Sequence, residues 1–271
     1  MYESYWQLNS RPFSYRVASE DLFRSASLQA AALRMRYCID NNAGAALLVG
    51  GSGVGKSSLL RQLHFEDPAL HPFAHVVFPT LSTTELCSVV ADEVAATSSA
   101  QPESQDAVLK RISRSLLAAA ESGHRGLIAF DEAHLLTNDA LNQVVLPLLN
   151  LSDTDSRLSC TVILCGQPLL ASHVARNAQL RERIAVTAVL EPFTDGETAE
   201  YITSRLKLAG AEQPIFTDDA LRAVYTLSGG NPRRINRLCD MALLVGCADK
   251  LTVIGAREVE SLSGELLPAA A

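Results

Sequence analysis

The chain has 271 residues, of which 48% are hydrophobic and 20% are charged. This composition is typical of a globular protein and excludes a collagen-like or largely disordered chain, and the net charge of −7 argues against a protein that mainly grips nucleic-acid phosphates. No apolar run reaches the roughly 18 residues needed to span a bilayer, and the first residues lack a basic stretch before an apolar one. We therefore expect no transmembrane segment, no signal peptide and a cytoplasmic location.

Five apolar runs predict the strands of a parallel β-sheet. The first run, residues 45–49, ends in glycines, as a buried parallel strand does, and a helix is predicted before it from the spacing of apolar residues between Leu28 and Ile39. Segments long enough for helices separate the runs, which favours an α/β fold. The other four runs are residues 75–78, 127–130, 161–165 and 185–190.

The strand signal nearly disappears after residue 192, and a small helical domain is expected there. Its amphipathic segments cover about 195–209, 218–228 and 232–246, with residues 251–254 as a short strand before a last helix. Upstream, a helix starting near Asn138 should be kinked or shortened by Pro147. The predicted domains are residues 1–192 with an N-terminal segment 1–26, a helical lid 193–265 and a tail 266–271.

A glycine-rich loop follows the first predicted strand. Residues 50–57 read Gly-Gly-Ser-Gly-Val-Gly-Lys-Ser and match the P-loop pattern G-x-x-x-x-G-K-[ST] between a strand and a helix. Backbone N–H groups there can wrap phosphates, Lys56 adds a positive charge, and Ser57 offers a hydroxyl to Mg²⁺. The predicted ATP-binding residues of the loop are Gly50, Gly51, Ser52, Gly53, Val54, Gly55, Lys56, Ser57 and Ser58.

Two acidic residues, Asp131 and Glu132, end another predicted strand and fit a Walker B element. Asp131 would hold Mg²⁺, and Glu132 would orient and deprotonate the attacking water. A solvated carboxylate pair at the start of a helix is the simpler alternative, which the P-loop in the same chain disfavours. Residues 131–134 also spell the DEAH helicase signature, but such helicases need two tandem α/β domains, so His134 is interpreted as a helix-start residue.

The six cysteines are scattered without a C-x-x-C pair or a nearby histidine cluster. This spacing disfavours a zinc site or a disulfide framework. We interpret the cysteines as small buried apolar residues. They are Cys38, Cys87, Cys160, Cys165, Cys239 and Cys247.

Taken in order, these motifs resemble the ExeA/GspA-type family of AAA+ ATPases over nearly the whole chain. The resemblance implies a P-loop NTPase fold with a parallel sheet flanked by helices and a small C-terminal helical lid, ATP and Mg²⁺ as cofactors, and a homo-oligomer. The matching stretches are residues 11–13, 50–57, 130–134, 150–151, 166–168, 180–184, 201–210 and 228–233.

The resemblance also implies roles for three polar residues outside the two main motifs. Gln167 resembles sensor 1, which positions the water and the γ-phosphate, although it could be a simple turn amide. Arg233 resembles sensor 2 on the lid, although it could be an ordinary surface arginine. Arg183 resembles the arginine finger inserted by a neighbouring subunit, but Arg181 is an equal candidate on charge, and either could form an intramolecular salt bridge.

The N-terminal segment carries Pro12 and Phe13, which the resemblance places over the adenine. Packing into a core without touching the nucleotide is the alternative. ExeA-type proteins carry a membrane span and a peptidoglycan-binding region after the ATPase, and because this chain ends without either, direct cell-wall anchoring is not expected.

The leading functional hypothesis is an AAA+ ATPase that hydrolyses MgATP at subunit interfaces to drive or regulate a secretion, pilus or envelope-export assembly. It would then be cytoplasmic or peripheral at the inner membrane through a protein partner. A second hypothesis is an ATP-dependent, DNA-binding transposition regulator resembling the TniB/TnsC ATPases, against which the acidic net charge counts. A third is an ATP-gated switch with little turnover.

Overall fold

A computed structural model describes residues 2–14, 22–77, 80–98 and 103–266. The chain divides into two compact units. One, the sheet unit, comprises residues 26–52 and 56–190, and the other, the helical unit, comprises residues 1–25, 53–55 and 191–271.

The sheet unit contains a five-stranded parallel sheet in the order β2-β3-β4-β1-β5. The three central strands are buried along their whole length, which explains why their sequences are continuous apolar runs rather than alternating ones. The α/β fold predicted from these runs is confirmed. The strands are β1 (Ala45–Gly50), β2 (Phe73–Val76), β3 (Gly126–Phe130), β4 (Cys160–Gly166) and β5 (Ile184–Leu190).

Strand β2 begins and ends two residues earlier than the run predicted at 75–78, of which residue 78 lies outside the described residues. Its position is set by pairing with β3, which places Phe73 beside Leu127 and Val76 beside Phe130. The sequence alone does not reveal this register, since the edge strand is short and only half-buried.

The first helix of the sheet unit precedes β1, and the others connect the strands. The helices are α1 (Ala26–Asp40), α2 (Lys56–Glu66), α3 (Thr83–Ala95), α4 (Gln105–Glu121), α5 (Asn138–Ala140), α6 (Leu146–Thr154), α7 (Leu169–Arg176) and α8 (Ala178–Arg183).

Where Pro147 was expected to kink or shorten the helix, a π-helical turn, Leu141–Val145, lies between α5 and α6. Proline has no N–H to donate to the carbonyl four residues earlier, which belongs to Gln143. That carbonyl instead accepts a hydrogen bond from Gln105 Nε2 at 2.6 Å. The local loss of helical bonding is therefore compensated by a side chain from α4.

The helical unit contains the helices predicted after residue 192, with boundaries that differ by at most two residues. A hydrophobic cluster holds them together, with Ile202, Val224 and Leu243 buried. The strand expected at 251–254 is reduced to one bridge between Phe216 and Ile254. The helices are α9 (Asp195–Leu208), α10 (Asp218–Ser228), α11 (Pro232–Ala248), α12 (Ala256–Ser261) and α13 (Ser263–Leu266).

The described part of the N-terminal segment packs in the helical unit, not with the α/β domain to which residues 1–26 were assigned from the sequence. Its aromatic side chains are the reason, since Tyr2, Trp6 and Phe13 are all buried in the cluster of that unit. The indole Nε1 of Trp6 also donates to the carbonyl of Leu243 at 2.9 Å. A segment without helical or strand periodicity is thus held by large side chains.

Most of the cysteines are buried, as the sequence predicted, but Cys165 hydrogen-bonds to Asp131 in the candidate nucleotide site and so does not have purely apolar surroundings. Five are buried and Cys247 is half-buried. Burial raises the pKa of the Cys38 thiol to about 11 and that of Cys160 to about 12. Among the described residues, no helix is both long enough and apolar enough to cross a bilayer.

Candidate nucleotide site

The P-loop leaves the carboxyl end of β1 and leads directly into α2, as the motif predicted. Gly53 has φ 81° and Gly55 has φ 107°, conformations that side-chain-bearing residues avoid and glycine adopts freely. Val54 between them is buried. The glycines of the motif therefore allow the backbone conformation of the loop, and their lack of side chains also lets a ligand approach the backbone closely.

Lys56 is the first residue of α2, and its ammonium group points into the loop. The side chain is almost completely buried, and Nζ donates to the carbonyls of Gly50 at 3.0 Å and Gly51 at 2.9 Å. A buried ammonium is stable only with such partners. The positive charge is thus concentrated inside the loop, where a P-loop lysine meets phosphate oxygens.

Asp131 follows β3 and is the best-connected carboxylate of the site. It accepts hydrogen bonds from Ser57 Oγ, from the Glu132 amide at 3.0 Å and, at 3.4 Å, from His75 Nε2. Burial by itself raises the pKa of the Asp131 carboxyl, but the hydrogen bonds from His75, Ser57 and Glu132 outweigh it and hold this pKa well below its ordinary value. The carboxylate is therefore ionised at neutral pH.

Ser57 and Asp131 fit a magnesium ion by their chemistry. A hydroxyl and an ionised carboxylate from distant parts of the sequence are in direct contact, and both offer the oxygen ligands that Mg²⁺ takes, one or two from protein and the rest from phosphate and water. His75 is a member of this site that the sequence motifs did not indicate. It lies on β2 beside Ala129 of β3, so only the strand pairing brings it to Asp131.

Glu132 has a left-handed backbone with φ 50°, an uncommon conformation for a residue other than glycine. It precedes a short 3₁₀ turn, Ala133–Leu135, and its side chain is 40% exposed. Its carboxylate Oε2 lies 3.4 Å from His134 Nδ1. The same His134 nitrogen lies 3.5 Å from the backbone N–H of Gln167.

Gln167 comes directly after β4, which lies between β3 and β1 in the sheet. Because the carboxyl ends of parallel strands share one edge, Gln167 lies between the P-loop strand and the strand that ends at Asp131. This edge is where open α/β sheets bind ligands. The structure thus brings Lys56, Ser57, Asp131, Glu132 and Gln167 to one edge of the sheet unit.

Arg183 is the last residue of α8. Its contacts are with residues other than those gathered at the sheet edge. Its guanidinium pairs with Asp153 at 2.6 Å and donates to Asn150 Oδ1 at 2.9 Å. All three residues belong to the sheet unit, and the Arg183 side chain is 38% exposed. The intramolecular salt bridge anticipated as an alternative is present for Arg183, whereas Arg181 is simply exposed.

Arg233 lies in the first turn of α11 and is exposed. The turn predicted at 228–232 is present, with Asn231 Oδ1 accepting from the Arg233 amide at 3.1 Å and Pro232 as the first helical residue. The amide of Arg233 also lies 3.4 Å from the carbonyl of Gly53, which groups with the same unit. The sensor-2 role of Arg233 stays a prediction.

The segment at 11–13 has a packing role in the helical unit. Arg11 pairs with Asp240 at 2.6 Å, the carbonyl of Pro12 accepts from the buried Arg205 Nε at 2.7 Å, and Phe13 is 2% exposed. These contacts favour the alternative in which the segment packs into a core. Adenine contacts by Pro12 and Phe13 stay a prediction.

Comparison with known proteins agrees with this geometry. The sequence profile of the AAA domain family matches residues 39–174, which include the P-loop and both acidic residues. The chain belongs to this family. Family membership makes it an AAA+ ATPase in class and implies that it binds ATP.

The chain is 34% identical over 254 residues to General secretion pathway protein A of Aeromonas hydrophila. The alignment covers 92% of this chain but 45% of that protein, so the chain spans less than half of the length of this curated relative. The resemblance to the ExeA/GspA-type family inferred from the motifs is confirmed.

Solved structures show the same fold at low sequence identity. Cdc6p from Pyrobaculum aerophilum is 17% identical with a TM-score of 0.76, over 96% of this chain and 72% of that one. The ORC2 protein of Aeropyrum pernix is 15% identical with a TM-score of 0.72, over 97% and 73%. At these identities the likeness is evidence of fold alone.

Proposed function

We propose that this chain hydrolyses MgATP at the edge of the sheet unit. The observation that carries the proposal is the contact between Ser57, at the start of α2, and the ionised Asp131, at the end of β3, beside the buried Lys56. Three groups with complementary roles toward a nucleotide triphosphate converge there from two motifs. A turn or a helix cap alone would not require this convergence.

Each residue has one role in this proposal. Lys56 exchanges its carbonyl partners for oxygens of the β- and γ-phosphates, and Ser57 and Asp131 hold Mg²⁺. When bound, the ion neutralises charge on the phosphates. Glu132 orients a water molecule and accepts its proton, and Gln167 donates to the γ-phosphate or the water.

The proposal includes a second copy of the chain. A planar, permanently charged guanidinium stabilises charge on a transferring phosphoryl group, and Arg183 is the candidate because its side chain is partly exposed at the end of α8. Arg233 is proposed as sensor 2. An assembly in which each copy supplies Arg183 to its neighbour makes the chain a homo-oligomeric ATPase.

Glu132→Gln tests the hydrolytic role directly. The substitution keeps the size and hydrogen bonding of the side chain but removes the base, so the ATP Kd should stay within about twofold while kcat falls by about 10²- to 10⁴-fold. Turnover is measured by phosphate release and binding by calorimetry. Glu121→Gln, an exposed residue at the end of α4, is the matched control. Undiminished turnover in Glu132→Gln would remove Glu132 from the mechanism.

The cellular process is proposed as a secretion, pilus or envelope-export assembly. Its support is the similarity to General secretion pathway protein A along 92% of the chain. Affinity capture with Glu132→Gln and ATP, which holds an assembled state, should recover components of such a machine. Capture of a transposase, together with duplex-DNA binding that falls steeply as salt rises, would replace this process by transposition.

A further inference from the structure

The Nδ1 atom of His134 lies between two groups that make opposite demands on it. One is the carboxylate Oε2 of Glu132 at 3.4 Å. When it is ionised, this group can accept a hydrogen bond but cannot donate one. The other is the backbone N–H of Gln167 at 3.5 Å, which can only donate one. Both contacts are longer than an ordinary hydrogen bond, as expected of one atom placed between two partners. The Gln167 contact has hydrogen-bond geometry, and the Glu132 contact is at ion-pair distance.

An imidazole nitrogen serves either partner but not both. When Nδ1 carries the proton it donates to Glu132 and cannot accept from Gln167. When the proton is on Nε2, the Nδ1 lone pair accepts from the Gln167 N–H and repels the Glu132 carboxylate. The two arrangements differ in which catalytic group is held.

The surroundings fix the ring but leave the carboxylate free to turn. The His134 side chain is 10% exposed, whereas that of Glu132 is 40% exposed. The ring also packs closely on the end of β4, because a Cβ atom on Gly166 would lie 3.2 Å from His134 Nδ1 and 3.1 Å from its backbone N. Movement in this group therefore belongs to Glu132.

We propose that His134 is a positioning residue that exchanges its Nδ1 contact between Glu132 and Gln167 during the ATPase cycle. Without nucleotide, Nδ1–H holds the Glu132 carboxylate. With ATP bound, Glu132 turns to the attacking water, and Nδ1 accepts from the Gln167 amide and fixes the end of β4. The imidazole ring gains or loses no net proton, because Nδ1 releases one proton to solvent while Nε2 takes one from solvent. This inference rests on the proposed hydrolytic function.

Nitrogen NMR of the imidazole rings tests the exchange, because the ¹⁵N shift of Nδ1 distinguishes a protonated from an unprotonated nitrogen. His134→Asn identifies the His134 signal by its loss. In the nucleotide-free protein we expect Nδ1 to be protonated, and unprotonated on addition of a non-hydrolysable ATP analogue with Mg²⁺. In Glu132→Ala it should be unprotonated in both conditions.

Each NMR outcome decides a different claim. A nucleotide-free Nδ1 signal that is the same in wild type and Glu132→Ala overturns the contact with Glu132. A signal that responds to Glu132→Ala but not to the analogue, in protein shown to bind it, overturns the exchange. If the analogue does not bind at all, the proposed function fails instead, and the comparison of the two nucleotide-free proteins still tests the contact.

Steady-state kinetics tests the role in catalysis. His134→Ala should lower kcat about tenfold with the ATP Kd unchanged, and His134→Asn, which keeps a polar atom near the place of Nδ1, should recover at least a third of the rate. His173→Ala, on α7, is the control and should resemble wild type. Equal loss in the Ala and Asn variants, or a change in Kd without a change in kcat, would assign His134 a structural role only.

Discussion

The carboxyl edge of the sheet and the end of α8 carry the two halves of the proposed active site in contrasting ways. At the sheet edge, Lys56 and Asp131 are buried and bonded to neighbours within the loop and the next strand. At the end of α8, Arg183 and Asp153 are both substantially exposed, with side chains 38% and 57% accessible, and form a surface ion pair.

This contrast distinguishes what the fold fixes from what assembly must supply. Buried charges with several hydrogen bonds keep one geometry, since losing a partner leaves a costly unpaired group. An exposed ion pair contributes roughly 0–1 kcal/mol and is easily exchanged for another anion. Nucleotide binding should therefore be a property of one chain, and fast turnover a property of a pair.

The largest expected effect is that of Arg183→Ala. Loss of an arginine finger lowers kcat by about 10³-fold or more, while the ATP Kd should stay the same because Arg183 is not part of its own chain's sheet edge. Turnover at saturating ATP and a binding isotherm check both parts. The control is Arg181→Ala, two residues earlier on α8; if its loss equals that of Arg183→Ala, the assignment to Arg183 is wrong.

Lys56→Ala should affect the sheet edge, which is the nucleotide-binding half of the proposed site. It should weaken ATP binding about 100-fold, as expected when charge-assisted hydrogen bonds of about 1.5–3 kcal/mol are lost. Calorimetric titration with a non-hydrolysable analogue measures this. Lys110→Ala, which removes an exposed lysine paired with Asp106 on α4, should bind normally. Tight binding by Lys56→Ala would show that the phosphates lie elsewhere.

The smallest effect is expected from Asp153→Asn. It removes the carboxylate that holds Arg183 in its own chain and should raise the ATPase rate at low protein concentration about two- to fivefold, the equivalent of a weak surface ion pair. Asp155→Asn, which breaks the neighbouring pair with Arg157, is the control. A lower rate would mean that Asp153 orients Arg183 rather than competing for it.

Much of the sheet edge could be predicted from sequence because its parts are local. Apolar runs mark the central strands, and the loop and the acidic pair follow two of them directly. His75 could not be found in this way, since its contact with Asp131 depends on the register of β2 against β3. The pairing of Arg183 with Asp153 was likewise beyond the sequence, because it depends on how α6 and α8 meet.

The N-terminal segment is a second feature whose packing partners could not be predicted from the sequence. Its aromatic residues have no helical or strand periodicity, and the assignment of the segment to the α/β domain rested on the family resemblance alone. Burial of Tyr2, Trp6 and Phe13 in the helical unit decides the matter through packing. Periodicity predicts elements, whereas irregular segments are placed by the cavities that their large side chains fill.

The most direct test of the central claim mixes two inactive variants. At an ATP concentration well below its raised Kd, the Lys56→Ala site should be almost empty, but this variant still carries Arg183. The Arg183→Ala variant binds ATP but lacks the arginine. In a one-to-one mixture, random assembly joins the intact site of one to the intact arginine of the other at about a quarter of head-to-tail interfaces, so the mixture should regain about that share of wild-type turnover. A mixture no more active than the separate variants would contradict a site completed by a second copy.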